Sequence, residues 1–313
     1  MSVASFTIAV TVAQALDAVA AGARPVAGGT DLVVGSRQGK KPLPEALVAI
    51  DRLQELAVVE PSADGLRVGA LLSHARLMSD EAIVADYTAL ADGAALVGSP
   101  ATRNVGTLGG NIMNGSPAMD TGAPLAVLGA EVELQSATDG QRRLPVLDLW
   151  TGPGTTAAAD SELCTAVILP ARAARSGSAY VRLEYRRAME IAVVGAAASI
   201  TLALDNTVSA AAIALAAVAP TIIALEGIDG LIGRPVDGEL LEEVARIAAE
   251  QSTPISDLRA SDRYRRHTVG VMARRAVSAA AERARGQLIP VPVNRSLGIG
   301  TALAATTTSG GTT

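Results

Sequence analysis

The pattern of apolar and polar positions at the start of the chain predicts a strand, a helix and a second strand. Phe6 to Val10 is apolar enough to form the first strand. Thr11 and Gln14 have the spacing of a capping box, which marks the beginning of a helix. That helix is predicted to end at Gly22, a typical stop signal. Val26 then leads into a glycine-rich loop, AGGTDL.

The middle of the chain shows strand alternation and turn signals typical of hairpins. Residues 66–70 read as a strand and residues 79–96 as a helix. Two hairpins are predicted because paired apolar runs flank Asp-Gly and Asp-Asn turns. Their strands are residues 131–135 with 142–146, and residues 197–204 with 208–217.

The C-terminal third changes to helical periodicity. Residues 239–250 and 263–285 carry charges on one face and apolar side chains on the other. From Gly286 onward Pro, Thr, Ser and Gly occur without a period, and we expect a disordered tail over 286–313. Mixed helices and hairpins predict an α+β fold rather than a doubly wound parallel sheet.

Composition and charge restrict the functional classes. The 313 residues are enough for two or three domains with a core that needs no disulfide or metal. A formal net charge of -5 and an aromatic content of 2% argue against nucleic acid, which binds clustered cations and stacking platforms. The single cysteine, Cys164, cannot hold an iron–sulfur cluster, and we expect no metal in this chain.

Location is predicted from two apolar segments. The first residues lack the positive region of a typical secretory signal. With a single cysteine, the cytoplasm is the expected compartment. Residues 208–225 form the longest uncharged apolar run, but its alanines and Pro220 argue against a membrane span and favour a strand and its exit.

Two paired-glycine loops are the candidate binding elements. Gly28-Gly29 is followed by Thr30-Asp31, and Gly109-Gly110 by Asn111. Either loop alone is typical of an ordinary turn. Adjacent glycines also let a ligand approach the main chain, and successive N–H groups can bind anions. Together the two loops could hold the two phosphates of a dinucleotide.

Other candidates have simpler interpretations. Residues 35–41 miss the phosphate-loop spacing by one residue, and residues 152–157 form a turn rather than a nucleotide fingerprint because they open no helix. Cys164 is predicted to be a small buried hydrophobe. His74 is predicted to be a satisfied surface or loop histidine.

Charged residues near the second loop leave alternatives open. Asp120 precedes an apolar segment, so it could cap a helix, accept hydrogen bonds from ligand hydroxyls, or do both. Arg182, Arg186 and Arg187 precede an apolar run. They could be solvated or could face an acidic partner or a phosphate.

Three motifs together resemble a known family. Residues 27–32 (AGGTDL), 103–111 (RNVGTLGGN) and 116–120 (SPAMD) are similar to the medium, FAD-binding subunit of molybdenum hydroxylases such as xanthine dehydrogenase and carbon monoxide dehydrogenase. Residues 180–194 resemble the start of the family's C-terminal domain, and residues 257–266 resemble part of its last helices. The resemblance covers residues 4–285.

The resemblance implies a fold and a set of FAD-binding residues. A two-subdomain fold of the vanillyl-alcohol-oxidase (PCMH) type would cover residues 1–58 and 59–176, followed by an antiparallel sheet and helix bundle over 177–285. The diphosphate of FAD would lie between the glycine loops. Asp120 would bind the ribityl or ribose hydroxyls, and Ile191 and Val193 would lie near the isoalloxazine or adenine end. The loop residues carried over are Val26, Ala27, Gly28, Gly29, Thr30 and Asp31, and Thr107, Gly109, Gly110, Asn111, Asn114 and Ser116.

The chain departs from the family pattern in three places. Glu190 stands where aspartate is common, and Gly115 replaces a usual alanine. Tyr185 is the only obvious aromatic candidate beside the flavin. No residue is implied to be catalytic, because FAD carries the chemistry.

The resemblance also implies partner subunits. A small subunit would carry 2Fe–2S clusters and a large one the molybdopterin cofactor, in a heterotrimer. Electrons would leave through FAD to NAD, a quinone, dioxygen or another acceptor. A self-sufficient flavin oxidase of the same fold and a non-catalytic scaffold remain the alternatives.

Overall fold

The N-terminal region of the computed structural model, which describes residues 3–39 and 42–299, is a small three-stranded parallel sheet with two helices. The central strand, β3, pairs with the other two strands. The predicted strand–helix–strand order is confirmed, and Thr11 Oγ1 accepts the N–H of Gln14 as a helix cap. The elements are β1 (Ser5–Ile8), α1 (Val12–Ala20), β2 (Arg24–Val26), α2 (Thr30–Arg37) and β3 (Ala46–Ala49).

The second region is a five-stranded antiparallel sheet covered by short helices, after a 3-10 turn at Gln54–Leu56. Its central strand, Leu163–Pro170, pairs with strands from both sides of the helical segment. In chain order the elements are β4 (Val59–Ser62), β5 (Gly65–Gly69), α3 (His74–Leu77), α4 (Glu81–Asp86), α5 (Thr88–Leu96), α6 (Pro100–Val105), α7 (Leu108–Met113), α8 (Gly122–Val127), β6 (Glu131–Ser136), β7 (Gly140–Pro145), α9 (Val146–Leu149), β8 (Trp150–Gly152), β9 (Thr155–Thr156) and β10 (Leu163–Pro170).

Two predictions in this region have different outcomes. The β6–β7 hairpin is confirmed. The single helix predicted over residues 79–96 is instead two helices, α4 and α5, because the backbone of Tyr87 leaves the helical region. The Tyr87 hydroxyl donates to the carbonyl of Pro170 at 3.0 Å, a tertiary contact that no local pattern encodes.

The third region is a four-stranded antiparallel sheet with a helix pair, and it confirms the second predicted hairpin and the two long helices. Side chains alternate across the sheet. Tyr180 and Ala197 join the core shared with the second region, whereas Val181 and Ala198 join the core under the long helices. The elements are β11 (Ser176–Leu183), β12 (Val194–Leu202), β13 (Val208–Ala216), β14 (Ile223–Ala224), a 3-10 turn at Asp229–Leu231, α10 (Gly238–Gln251), α11 (Asp262–Ala284) and α12 (Val293–Ser296).

The tail differs from its prediction. Residues 286–299 are described, and Val293 and Asn294 are buried. Asn294 Nδ2 donates to the carbonyl of Arg182 at 2.9 Å, which fastens α12 to β11. Disorder is therefore the wrong prediction for residues 286–299, because two buried side chains outweigh the Pro- and Thr-rich composition. Residues 300–313 lie outside the described residues.

A membrane-spanning helix is not found in the described part of the chain, since no helix there is both long and apolar enough. The apolar run at residues 208–225 forms β13 and its exit, as predicted.

Candidate functional site

The first glycine loop, residues 27–32, connects β2 to α2. Gly29 precedes α2 with a φ of 66°, a left-handed angle that costs residues with a β-carbon about 1 kcal/mol or more. No side chain caps this helix end. Among the described residues, nothing accepts a hydrogen bond from the N–H groups of Thr30, Asp31 and Leu32. The start of α2 therefore offers free donors and a positive dipole end, which suits phosphate oxygens.

The first glycine loop lies directly against the end of α6. A β-carbon on Gly28 would lie 2.0 Å from the carbonyl oxygen of Val105. A β-carbon on Gly106 would lie 3.5 Å from Thr30 Oγ1. The missing side chains thus allow the two glycine motifs, distant in sequence, to meet.

The remaining candidates of the first loop are placed as follows. Val26 ends β2, and its carbonyl accepts the N–H of Ile50 at 3.0 Å. Ala27 is half-buried against the N-terminal core. The side chain of Asp31 lies in the exposed first turn of α2. Main-chain atoms, more than side chains, define this loop.

The second glycine loop, residues 106–116, differs from expectation because its N–H groups already have acceptors. The N–H of Gly109 donates to the carbonyl of Ala70 at 2.8 Å. The N–H of Gly110 donates to Thr107 Oγ1 at 3.1 Å. Free donors are therefore concentrated in the first loop. Gly110 is exposed, and a β-carbon there would contact only Thr107 Oγ1 within 4 Å, so its outer face is open to a ligand.

The polar side chains of the second loop are half-buried and turned inward in part. Asn111 Oδ1 accepts the hydroxyl of Thr121 at 2.6 Å, which orients the amide. Ser116 Oγ accepts the N–H of Ala118 at 3.3 Å. Asn114 ends α7. Behind the loop, Trp150 Nε1 donates to the carbonyl of Ile112 at 3.0 Å and fixes this helix from below.

Asp120 is buried and bound to the third region instead of capping a helix. The residue at the cap of α8 is Thr121, without a side-chain capping bond, so the capping prediction for Asp120 is wrong. Asp120 is 6% exposed. Its Oδ1 accepts the Tyr180 hydroxyl at 2.9 Å, and its Oδ2 accepts Arg182 Nη1 at 2.6 Å. Both carboxylate oxygens are thus engaged by the third region, not by solvent.

Arg182 is the centre of a buried charge network. Its side chain is fully buried, and its Nε donates to Glu184 Oε2 at 2.8 Å. Burial lowers the pKa of Arg182, and the carboxylates of Asp120 and Glu184 more than reverse this effect. Burial raises the pKa of Asp120, which Arg182 partly offsets. The solvated alternative for Arg182 is therefore excluded.

His74, predicted to be at the surface or in a loop, is buried under the second glycine loop. His74 is 2% exposed, and its main-chain N–H donates to the carbonyl of Gly106 at 3.0 Å. The buried Nδ1 has no partner among the described residues. Burial and then Arg103 lower the pKa of His74 to about 4, so the imidazole is neutral at neutral pH. Ser73 caps α3 and so marks His74 as the first residue of a helix.

The remaining candidates lie on and beside the segment 184–191. Ile191 is 48% exposed, whereas Val193 is fully buried and its carbonyl accepts Arg265 Nη1. Tyr185 is exposed and donates to the carbonyl of Arg259 at 2.8 Å. Met189 anchors the segment through its N–H, which donates to the carbonyl of Gly98 at 3.0 Å. Ile191 is thus exposed, and the Val193 side chain is enclosed in the core.

Comparison with known families shows the family to which the chain belongs. The family described as the FAD binding domain in molybdopterin dehydrogenase matches residues 2–172, more than half of the chain. The chain belongs to this family. The carbon monoxide dehydrogenase flavoprotein C-terminal domain matches residues 179–280. FAD is therefore the cofactor of this chain, and the chain is a flavoprotein subunit of an oxidoreductase.

Named relatives match most of the chain. The xanthine dehydrogenase FAD-binding subunit of Escherichia coli O157:H7 is 30% identical over 91% of this chain and 98% of its own length. The carbon monoxide dehydrogenase medium chain of Afipia carboxidovorans is 32% identical over 84% and 90%. These relatives are subunits of multi-subunit molybdenum hydroxylases.

Solved structures agree with this molybdopterin dehydrogenase flavoprotein fold. Carbon monoxide dehydrogenase from Hydrogenophaga pseudoflava, which lacks the Mo-pyranopterin moiety, superposes with a TM-score of 0.84 at 29% identity, covering 89% of this chain and 97% of that one. Quinoline 2-oxidoreductase from Pseudomonas putida 86 gives 0.83 at 27% identity, over 90% and 97%. The expected PCMH-type fold with a C-terminal domain is confirmed.

Proposed function

We propose that this chain binds the FAD diphosphate between the two glycine loops and serves as the electron-exit subunit of a molybdenum hydroxylase. The observation that carries the binding site is the start of α2, where the N–H groups of Thr30, Asp31 and Leu32, which follow the left-handed Gly29, have no acceptor among the described residues. Bound FAD would supply the redox chemistry, accepting electrons from one partner and releasing them to another.

The loops have different tasks in this proposal. The residues of the first loop, Val26 to Asp31, wrap the diphosphate, and the main-chain N–H groups of Thr30 and Asp31 donate to its phosphate oxygens. In the second loop, Gly110 allows close approach, and Thr107, Asn111, Asn114 and Ser116 offer side-chain groups. Gly109 supports the loop by its bond to Ala70 instead of donating to the ligand. Asp120 supports the loop from the protein side, bound to Tyr180 and Arg182. The exposed Ile191 lies on the flavin or adenine side, and the buried Val193 supports it from the core.

The charge around the loops supports an anionic ligand. Arg103 lies on α6, next to both loops, and its Nη1 donates to the carbonyl of Val97 at 2.9 Å. Burial lowers the pKa of Arg103, and the charges of Arg295 and Arg182 lower it further. Positive groups therefore repel one another here, in a chain with a net charge of -5. A diphosphate nearby would relieve that repulsion.

The proposed partners come from the family to which the chain belongs. The only cysteine, Cys164, is buried, so this chain cannot itself hold the iron–sulfur clusters that the resemblance implies. We therefore propose a small 2Fe–2S subunit as electron donor and a large molybdopterin subunit as the site of substrate oxidation, in a cytoplasmic heterotrimer. NAD, a quinone or dioxygen would be the acceptor.

We also propose the domain boundaries. Residues 1–58 and 59–176 would form the two FAD-binding subdomains, and residues 177–285 the C-terminal domain. Each proposed unit contains one sheet of three to five strands, apart from Ser176, the first residue of β11, which supports this division.

Ligand competition tests the FAD site directly. The purified chain is stripped of flavin and titrated with FAD, ADP and FMN. FAD should bind, ADP should compete because it carries the same diphosphate, and FMN should compete weakly. Absence of flavin absorbance together with no FAD uptake would refute the site and favour a non-catalytic scaffold.

Reduction by substrates separates the remaining alternatives. With the chain alone, small organic substrates should leave FAD oxidised, whereas dithionite should reduce it. Turnover of an organic substrate by the isolated chain would instead identify a self-sufficient flavin oxidase. Copurification with an iron–sulfur chain and a molybdopterin chain is the expected result.

A further inference from the structure

Arg182 contacts two separate segments, at Asp120 and at residues 184–190, through a single, fully buried guanidinium. It binds Asp120 Oδ2 at 2.6 Å, Glu184 Oε2 at 2.8 Å and the carbonyl of Glu190 at 3.3 Å. The main-chain N–H of Arg182 donates to Asn294 Oδ1 at 3.1 Å. A buried charge needs several well-placed partners to offset desolvation, and Arg182 has them.

The segments that Arg182 connects border the proposed flavin site. Asp120 ends the stretch that begins with the second glycine loop. Glu184 and Glu190 belong to the segment 184–191, which crosses to Gly98 through the N–H of Met189. The Arg182 side chain therefore links this segment directly to Asp120, at the end of the stretch that begins with the second loop.

A second buried ion pair lies between the same regions but away from this segment. Asp92 is fully buried and accepts Arg283 Nη1 at 2.6 Å. Its oxygens also accept the N–H groups of Tyr180 and Val293, at 3.1 and 2.9 Å. This pair connects α5, α11 and the chain before α12 without touching residues 184–191, so it serves as a matched structural control.

We propose that Arg182 is a positioning residue for FAD, which holds the segment 184–191 in register with the second glycine loop. This inference rests on the proposed function. The planar guanidinium donates in three directions at once, to two carboxylates and a carbonyl. Lysine keeps the charge but cannot reproduce that fork. The Arg182 contacts hold the exposed Ile191 and Met189 at a defined place beside the loop.

The test compares conservative variants of the two buried arginines. Arg182→Lys and Arg283→Lys are purified with FAD, and three quantities are measured: melting temperature without FAD, the FAD release rate, and flavin fluorescence. Both variants should have a lower melting temperature than the parent in the absence of FAD. Arg182→Lys should release FAD about tenfold faster and change the fluorescence of the bound flavin, while Arg283→Lys stays within about twofold of the parent.

A milder variant keeps the inference testable if Arg182→Lys does not fold. Glu184→Gln retains shape and polarity but removes one charge that orients Arg182, so it should also speed FAD release. Equal release rates and unchanged fluorescence in all three variants would overturn the positioning role, leaving a purely structural network. If the parent chain itself binds no FAD, the proposed function fails first, which the parent titration shows separately.

Discussion

Gly28 lies so close to Val105 that a β-carbon on the glycine would be 2.0 Å from the valine carbonyl oxygen. This contact joins the two glycine motifs and involves backbone on both sides, so no side-chain rotation can relieve it. We predict that Gly28→Ala lowers the free energy of unfolding by about 2 kcal/mol or more and abolishes FAD binding. Urea unfolding and FAD titration measure the two effects, and retention of both would contradict the packing.

Gly110 should behave differently from Gly28. A β-carbon there would lie 3.0 Å from Thr107 Oγ1 and would otherwise face open space. Gly110→Ala should therefore change stability by about 1 kcal/mol or less but weaken FAD, because the methyl group occupies the approach of the ligand. Gly238→Ala, where nothing lies within 4 Å, is the matched control. Unchanged FAD affinity in Gly110→Ala would remove this glycine from the site.

The bond from Arg182 to Asp120 makes Asp120 a stability determinant in the absence of flavin. Asp120→Ala leaves the guanidinium with only Glu184 as a buried counterion, which should cost about 3 kcal/mol. Tyr180→Phe, which removes the other bond to Asp120, should cost about 1 kcal/mol. Chemical denaturation of the FAD-free chain measures both. A residue that only contacted ligand hydroxyls would leave this stability unchanged.

His74 gives the chain a specific acid sensitivity. Its pKa is about 4 in the folded chain and about 6.5 when unfolded. The unfolded chain therefore binds more protons between these values, and stability falls as pH decreases through that window. The contribution between pH 7 and 5 is about 2 kcal/mol. Denaturation at both pH values should show a smaller loss in His74→Gln; an equal loss in parent and variant would contradict a buried neutral imidazole.

Cys164 should be chemically inert in the folded chain. Burial raises its pKa to about 12, so almost no thiolate is present at neutral pH. An aromatic disulfide reagent should label the thiol only after denaturation. Rapid labelling of the native chain would show that the β10 environment opens readily.

The long elements and glycine positions were accessible from local patterns. The capping residues Thr11 and Gln14, the hairpin turns near Asp139 and Asp205, and the helices over residues 238–284 follow from spacing and turn chemistry within a few residues. The family resemblance, carried by short motifs, predicted FAD and the fold correctly. The structure requires glycine at two of the singled-out positions, because a β-carbon on Gly28 would lie 2.0 Å from the Val105 carbonyl oxygen and Gly29 has a left-handed φ of 66°.

Tertiary structure alone decided the partners of the polar residues. Asp120 was predicted as a cap or a ligand contact, yet its oxygens are bound by Tyr180 and Arg182, 60 and 62 residues away in sequence. His74 is buried because the second glycine loop folds over it. The N–H groups of Gly109 and Gly110 donate to acceptors within the protein. Sequence thus determined which residues could form loops and helices. Long-range packing determined which of their polar atoms remain free for a ligand, because desolvation requires each buried group to find its partner wherever the fold brings one.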